Sequence, residues 1–553
     1  MIKKLLAFLI CVIIICPSGY ADSIAPDAFE GIIIYVDDFN MFEKPKLSAP
    51  ATRSGAKGGP VSDIEGAKAA MKAAMLEHKE ILDCSQYYIS VGTAINIFRS
   101  LWYEAPELFY VNFYTSSFSV DPNKDWQYYE SGNNLTAQAM QFGIPYRFNK
   151  ESAEGKKALI QKECNNILKE ISPGMGDVEK VLAVHDYFAL NYEYNYSAVG
   201  SNYITNPEAY SMDGIFIKKT AVCQGIALGF MYVLGLLGID SVYVPSLDMV
   251  HAWNLVNINK NWYHVDVTWD LYYNQYAGWC CHDYILLSDT AIGQARPHYQ
   301  YTHYGWEADY MALDTTYDSY FWISVTSGIF YNDGYWYYVS INSDTYADDI
   351  CRRNIATGEE SVVIKPGGYW IYGETEESYL FVPNSRKMFL HNSRIYYTTT
   401  KSIRSADLDG KNSVKEVTLD TDEQYTYVCG LVKDGGNARY CVMKMSQSGN
   451  SVKYELVYED TFDLPSLVKV SRNKSNYVIS LDKSITDGMM FAAVYNDDKS
   501  ICIPVKVQEI DEGPTYSFPA SKAEYTNLKV MIFDDNLKPL MESCAEFDLS
   551  EIN

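Results

Sequence analysis

The strongest constraint in this sequence is residues 250–269, VHAWNLVNINKNWYHVDVTW, where apolar and polar positions alternate on both sides of Asn259-Lys260. Period-two alternation in a stretch rich in Val and aromatics predicts strands over 250–257 and 261–269. A two-residue turn joins them, and Asn tolerates the left-handed φ that such turns need. In that register Thr268 faces His251 and Trp253 faces Asp266, so His251 and Asp266 become diagonal neighbours on one face. A three-residue turn would send Asp266 to the other face. A carboxylate in the middle of an aromatic strand is costly unless it has a partner.

A third residue gives the pair a purpose. Cys223 lies in KKTAVCQGIALGFMYVLGLLGI, which reads as an apolar helix over Thr220–Leu237, capped by Thr220 and closed by Gly238. Cys223 then sits in the first turn, where the helix dipole and unpaired N–H groups favour a thiolate. Lys218 and Lys219 add positive potential. Taken singly, Cys223 reads as a small apolar residue of a buried helix and His251 as a hydrogen-bonded core histidine. Together with Asp266 they make a nucleophile, a general base and acid, and a carboxylate that orients the imidazole. Gln224, Tyr210 and Trp253 are candidates for the oxyanion site or the cleft wall, and the backbone N–H of Gln224 is a better donor than its amide. Trp253, Asn254, Trp262 and Trp269 also suit core and wall, and His185, His264 and His282 read as structural.

The segments AVCQG, HAWN and WYHVDVTWD resemble the signature of the transglutaminase-like superfamily as found in exported bacterial proteins. VHDYFALNYEYN (184–195), EAYSMDGIF (208–216) and HDYILLSD (282–289) agree with it, and the similarity covers about 175–300. The resemblance implies a papain-like fold with Cys223 as nucleophile, His251 as base and acid, and Asp266 as the orienting carboxylate. A glutamine carboxamide or peptide acyl group would form a thioester on Cys223 and pass to an amine or to water. Two positions depart from the pattern: Ile226 stands where Tyr is frequent, and Ser246 stands near a common Gly. Both bear on substrate preference more than on the chemistry. No cofactor is implied.

At 553 residues the chain exceeds one hydrophobic core. Lys3 and Lys4, the apolar run Leu5–Cys16 and Gly19-Tyr20-Ala21 read as a secretory leader over 1–21, cleaved near Ala21. Its loss takes the net charge from −25 to −27, a balance that disfavours nucleic acid and anionic membranes. A secreted or cell-surface protein with no integral membrane segment after cleavage is expected. The ten remaining cysteines are scattered without a CxxC pair, so no metal site is expected. Adjacent Cys280 and Cys281 read as two buried thiols rather than a strained vicinal disulfide.

Pattern changes suggest further boundaries. Residues 22–61 form an N-terminal segment ending in a linker rich in Pro, Gly, Ser and Ala. Residues 62–150 read as an α+β domain, with a capping box at Ser62 opening a helix through about Leu82 and a strand at APELFYVNFY (105–114). Residues 151–308 read as the α+β transglutaminase-like domain, with helices over 155–171 and 178–190. Over 309–467 only short aromatic strands show. There IFYNDGYWYY (329–338) resembles MFLHNSRIYY (388–397), and ICRRNIATG resembles SIRSADLDG with Arg352 and Arg404 in register. Such a repeat suits propeller-like modules. Residues 468–553 read as a small β-sandwich.

The expected function is that of an exported cysteine-dependent acyl-transfer enzyme acting on protein or peptide amides, cell-wall peptides among them. Carbohydrate is a candidate ligand of the C-terminal β domains. The competing reading is a non-catalytic surface scaffold, in which the β modules bind carbohydrate or protein and the triad domain only packs.

Overall fold

The computed structural model describes residues 32–36, 62–114, 116–120, 139–199, 205–246, 249–271, 278–295, 298, 310–341, 348–365, 387–419, 426–448, 451–473, 475–482 and parts of 485–552. The expected leader and most of the expected linker lie outside these residues. Packing divides the chain into two compact units that interleave in sequence. The first comprises Met1–Cys164, Glu193–Thr268 and Tyr284–Asp318, and the second Asn165–Tyr192, Trp269–Asp283 and Ser319–Asn553.

The first unit opens with helices Ile64–Leu76 and Val91–Glu104 beside an antiparallel sheet of Ile32–Val36, Ser116–Val120, Ala139–Gly143 and Ile81–Asp83. The first helix is shorter than expected. Its cap is Asp63, which accepts the Gly66 N–H at 2.8 Å, and not Ser62. It stops at Leu76 because His78 turns to φ 58°, a conformation that ends right-handed helix. Nor is 105–114 a strand. Pro106 opens a single 3-10 turn through Leu108, and only Val111 forms a bridge, to Tyr146. Phe109, Tyr110 and Phe113 of this stretch are buried, so core packing and not sheet pairing accounts for its apolar character.

The hairpin forms in the expected register. Strands His251–Ile258 and Asn261–Val265 pair with Asn254 opposite Val265 and Ile258 opposite Asn261. Asn259 and Lys260 take φ of 52° and 72°, as a type I′ turn requires. Strand Ser241–Ser246 completes the sheet, and helix Cys223–Leu236 packs on it. Asn254, fully buried, donates its Nδ2–H to the Ala227 carbonyl at 3.1 Å and ties sheet to helix.

In the second unit helix Asp177–Asn191 precedes antiparallel sheets. Two four-stranded meanders carry the repeat: Phe330–Asn332, Tyr335–Ile341, Asp348–Asn354 and Glu360–Ile364, then Met388–His391, Arg394–Thr398, Ser402–Asp407 and Val414–Thr418. The repeat is genuine, but its expected alignment slips by one residue. Both third strands bulge, between Ile350 and Cys351 in one and Ile403 and Arg404 in the other. The equivalent of Arg404 is therefore Cys351 and not Arg352, because the wholly buried Ile350 and Ile403 set the register. The described residues show meanders but no closed ring of blades, so the protein is a multidomain α+β chain with several antiparallel sheets. At the C-terminal end a three-stranded and a four-stranded sheet face each other. Val468, Tyr477 and Ile479 of one meet Met490, Val494, Leu528 and Ile532 of the other in one apolar cluster.

No helix among the described residues is long and apolar enough to cross a membrane. Cys280 and Cys281 are both free thiols, but only the first is buried as expected; Cys281 is half-buried.

Candidate active site

Cys223 is the first residue of its helix. Thr220 does not cap it, contrary to expectation: Thr220 and Ala221 form a short strand parallel to Glu193–Tyr194, and extended Val222 occupies the cap without a side-chain bond. The first-turn N–H groups beside the sulfur therefore have no capping side chain from Val222, which leaves the helix terminus electropositive. The following Gly225 explains why the turn needs a glycine. A Cβ there would stand 2.8 Å from the Ala221 Cβ, 2.9 Å from the Ala209 carbonyl oxygen and 3.0 Å from that of Ser211.

His251 begins the middle strand opposite Ser246. Its Nε2 lies 2.7 Å from Asp266 Oδ2. Here the structure differs from the expected hairpin in one respect. The strand ends at Val265, because the Asp266 N–H bonds to the Tyr284 carbonyl at 2.9 Å and the chain turns into the short helix Val267–Asp270. Thr268 is thus helical and does not face His251. The diagonal reach between His251 and Asp266 survives.

Sequence reasoning missed His298. Its Nε2 lies 2.8 Å from the same Asp266 Oδ2, so one carboxylate oxygen serves two imidazoles. Asp266 and His298 are fully buried, and Cys223 and His251 are 5% and 7% exposed. Burial alone would raise the Asp266 carboxyl. The His251 charge and the hydrogen bonds from His251 and His298 outweigh that and hold it well below the usual carboxylate range. Burial alone would lower His251; the charge and hydrogen bond of Asp266, then those of Cys223, reverse this and lift it to about 10. Since Nε2 is engaged by Asp266, Nδ1 is left for Cys223. The upward shift favours the charged imidazole, and Cys223 is among the groups that produce it.

The other expected residues play smaller parts. Trp253 stacks on His251 at 5.6 Å between ring centroids and meets His298 edge-on at 5.2 Å, while its indole N–H bonds to His264 Nδ1 at 2.9 Å. His264 is in turn fixed by Asp289 at 2.9 Å. Trp253 is therefore a wall that fixes both imidazoles. Tyr210 is buried and donates to the Ala198 carbonyl at 3.4 Å. Gln224 is fully buried, and neither amide atom finds a partner among the described residues. Tyr194 and Tyr243, which the sequence did not single out, stand close enough to Cys223 for its charge to raise their hydroxyls, after burial as the main cause. The ring of Tyr103 stacks on Tyr243 at 4.9 Å.

Residues 165–267 match the family model Transglut_core, the transglutaminase-like superfamily. The chain carries a domain of that superfamily. A solved structure described as a TGase is similar at 17% identity, covering 27% of this chain and 45% of its own, with a TM-score of 0.20. The extracellular domain of a hybrid two-component system protein of B. thetaiotaomicron is similar at 8% identity, covering 54% of this chain and 42% of its own, with a TM-score of 0.15. The chain thus spans less than half the length of either. No curated protein matches it.

Proposed function

We propose that the first unit catalyses cysteine-dependent acyl transfer on protein or peptide amides. The carrying observation is the relay from Asp266 through His251, at 2.7 Å, to the sulfur at a helix N-terminus. In this reading the Cys223 thiolate attacks the amide carbonyl, forming a C–S bond and an oxyanion. His251 gives its proton to the departing amine as the C–N bond breaks. Water or a second amine then attacks the thioester, loses its proton to His251 and frees the sulfur. Asp266 stabilises the charged imidazole throughout. The Cys223 and Gln224 backbone N–H groups are the first candidates for the oxyanion, with Tyr194 a further donor.

The low exposure of Cys223 is what a scaffold with an idle triad would show. An ionised, fully buried carboxylate holding two imidazoles is an expensive way merely to pack a core, and this favours the enzyme. Secretion, as the N-terminal leader pattern suggests, belongs to the same proposal. Neither carbohydrate nor cell-wall peptide draws support from the described residues.

The test is alkylation of the folded chain with iodoacetamide, with Cys223 read by peptide mass spectrometry. Cys223 should react faster than the other eight described thiols, and His251→Ala should abolish that advantage. Equal rates in wild type and variant would remove the basis for a nucleophile. A thioester trapped on Cys223 with a glutamine-bearing peptide would then distinguish acyl transfer from a merely reactive thiol.

A further inference from the structure

The second unit holds a buried cluster that the acyl-transfer chemistry does not use. His185 and Asp186 lie on helix Asp177–Asn191, and Cys280 and His282 lie just beyond Gly278. All four are buried. They converge on one oxygen. Asp186 Oδ1 lies 2.9 Å from His185 Nδ1, 2.9 Å from His282 Nε2 and 3.5 Å from Cys280 Sγ. The sulfur is 3.7 Å from His282 Nε2, and all four atoms lie within 4.8 Å of one another.

The outward ring nitrogens decide what the inward ones are. His282 Nδ1 lies 3.0 Å from the Val325 carbonyl, which can only accept, so Nδ1 carries a proton. His185 Nε2 lies 3.0 Å from Asp270 Oδ2, and the other oxygen of that carboxylate accepts the Asp283 N–H at 2.9 Å. In neutral rings the inward nitrogens are then lone pairs aimed at Asp186 Oδ1, itself an acceptor. Two ring nitrogens and the Cys280 sulfur thus crowd a single carboxylate oxygen, with the two ring centroids 5.4 Å apart. One divalent cation placed among these four atoms would accept both nitrogen lone pairs, the carboxylate oxygen and the sulfur. The outward bonds to a carboxylate and a backbone carbonyl become the supports that metal-ligating histidines ordinarily have. Asp186 Oδ2 is already occupied by the Ile329 N–H at 2.7 Å, which leaves Oδ1 to ligate.

We propose that His185 Nδ1, Asp186 Oδ1, Cys280 Sγ and His282 Nε2 bind a structural zinc ion. Two imidazoles, a carboxylate and a thiolate are the donors tetrahedral zinc takes, and the two anionic ligands neutralise its charge. Donor atoms around tetrahedral zinc stand about 3.3–3.8 Å apart. The distances from Sγ to Asp186 Oδ1 and to His282 Nε2 already fall there, and the two N···O separations of 2.9 Å open by about half an ångström on binding. Four protein ligands close the site, so it fastens rather than catalyses. It ties helix Asp177–Asn191 to the segment after Gly278, and through Val325 and Ile329 to the start of the first meander. The expectation of no metal site weighed only paired cysteines; here adjacent His185-Asp186 and the Cys280-x-His282 pair supply the ligands.

The full chain, purified without chelator from zinc-supplemented cells, should carry stoichiometric zinc by elemental mass spectrometry. Cys280→Ser and His282→Gln should lose it. Cys223→Ala and His298→Ala should keep it, which separates this cluster from the His251–Asp266–His298 group. If the ligand variants do not fold, cobalt exchanged into the wild type decides: tetrahedral d–d bands with a thiolate-to-cobalt charge-transfer band are expected. Substoichiometric zinc together with no thiolate band on adding cobalt would overturn the proposal, as would zinc that stays in Cys280→Ser or leaves with Cys223→Ala.

Discussion

Replacing Asp266 with Asn tests the electrostatic core of the site. The side chain is fully buried, and its Oδ2 takes hydrogen bonds from His251 at 2.7 Å and His298 at 2.8 Å. The Asn oxygen can still accept, but the charge is gone. His251 stands at about 10 against an ordinary 6.5, with Asp266 the largest favourable cause. Each unit is worth about 1.4 kcal/mol, so several kcal/mol hold the proton. Removing one partner of a buried ion pair costs about 3–5 kcal/mol by a separate route. The pH dependence has a definite sign. A histidine raised on folding contributes its stabilisation in full below 6.5, loses it progressively above, and has lost it beyond about 10. The gap between wild type and Asp266→Asn should therefore be about 3–5 kcal/mol at pH 6 and shrink steadily toward pH 10.5. Urea unfolding at a series of pH values measures it, with amide exchange in the 251–265 hairpin reporting on the first unit. Cys223 alkylation should slow in parallel at pH 7. A gap under about 0.5 kcal/mol at pH 6, the scatter of an ordinary surface change, or a gap that does not shrink with pH, would refute an imidazolium held by this carboxylate.

Two further perturbations bear on the scaffold. Arg147 holds the fully buried Asp213 with two bonds of 3.1 Å, so Arg147→Met should cost about 3–5 kcal/mol in a urea melt, and adding Asp213→Leu should recover most of it. Lys260 sits at φ 72° in the hairpin turn. Lys260→Gly should raise stability by about 1 kcal/mol, and a loss of stability would show that its side chain makes a contact outweighing backbone strain.

The hairpin could be read from the sequence because everything that shapes it is local. Alternation sets the faces, and a turn of two left-handed residues leaves one register, so the approach of His251 to Asp266 follows from positions only fifteen apart. The placing of Cys223 in a first helical turn was legible for the same reason, from the apolar run that Gly238 closes. Its cap was not, because Thr220 is drawn into a strand with Glu193–Tyr194, a pairing between distant segments.

What the tertiary structure alone decided lies where groups far apart in the chain converge. His298 reaches Asp266 across 32 residues and has no periodic pattern around it. The strand stops at Val265 because a carbonyl of Tyr284 takes the next N–H. In the meanders, buried Ile350 and Ile403 fix the register by packing, against an alignment that matched two arginines by letter. The His185, Asp186, Cys280 and His282 cluster is of the same kind, assembled from two segments more than ninety residues apart. Periodicity and turn chemistry act between near neighbours and are written in the sequence. The partners of a buried charge are chosen by whatever the folded core brings within about 3 Å of it, and no local pattern records that choice.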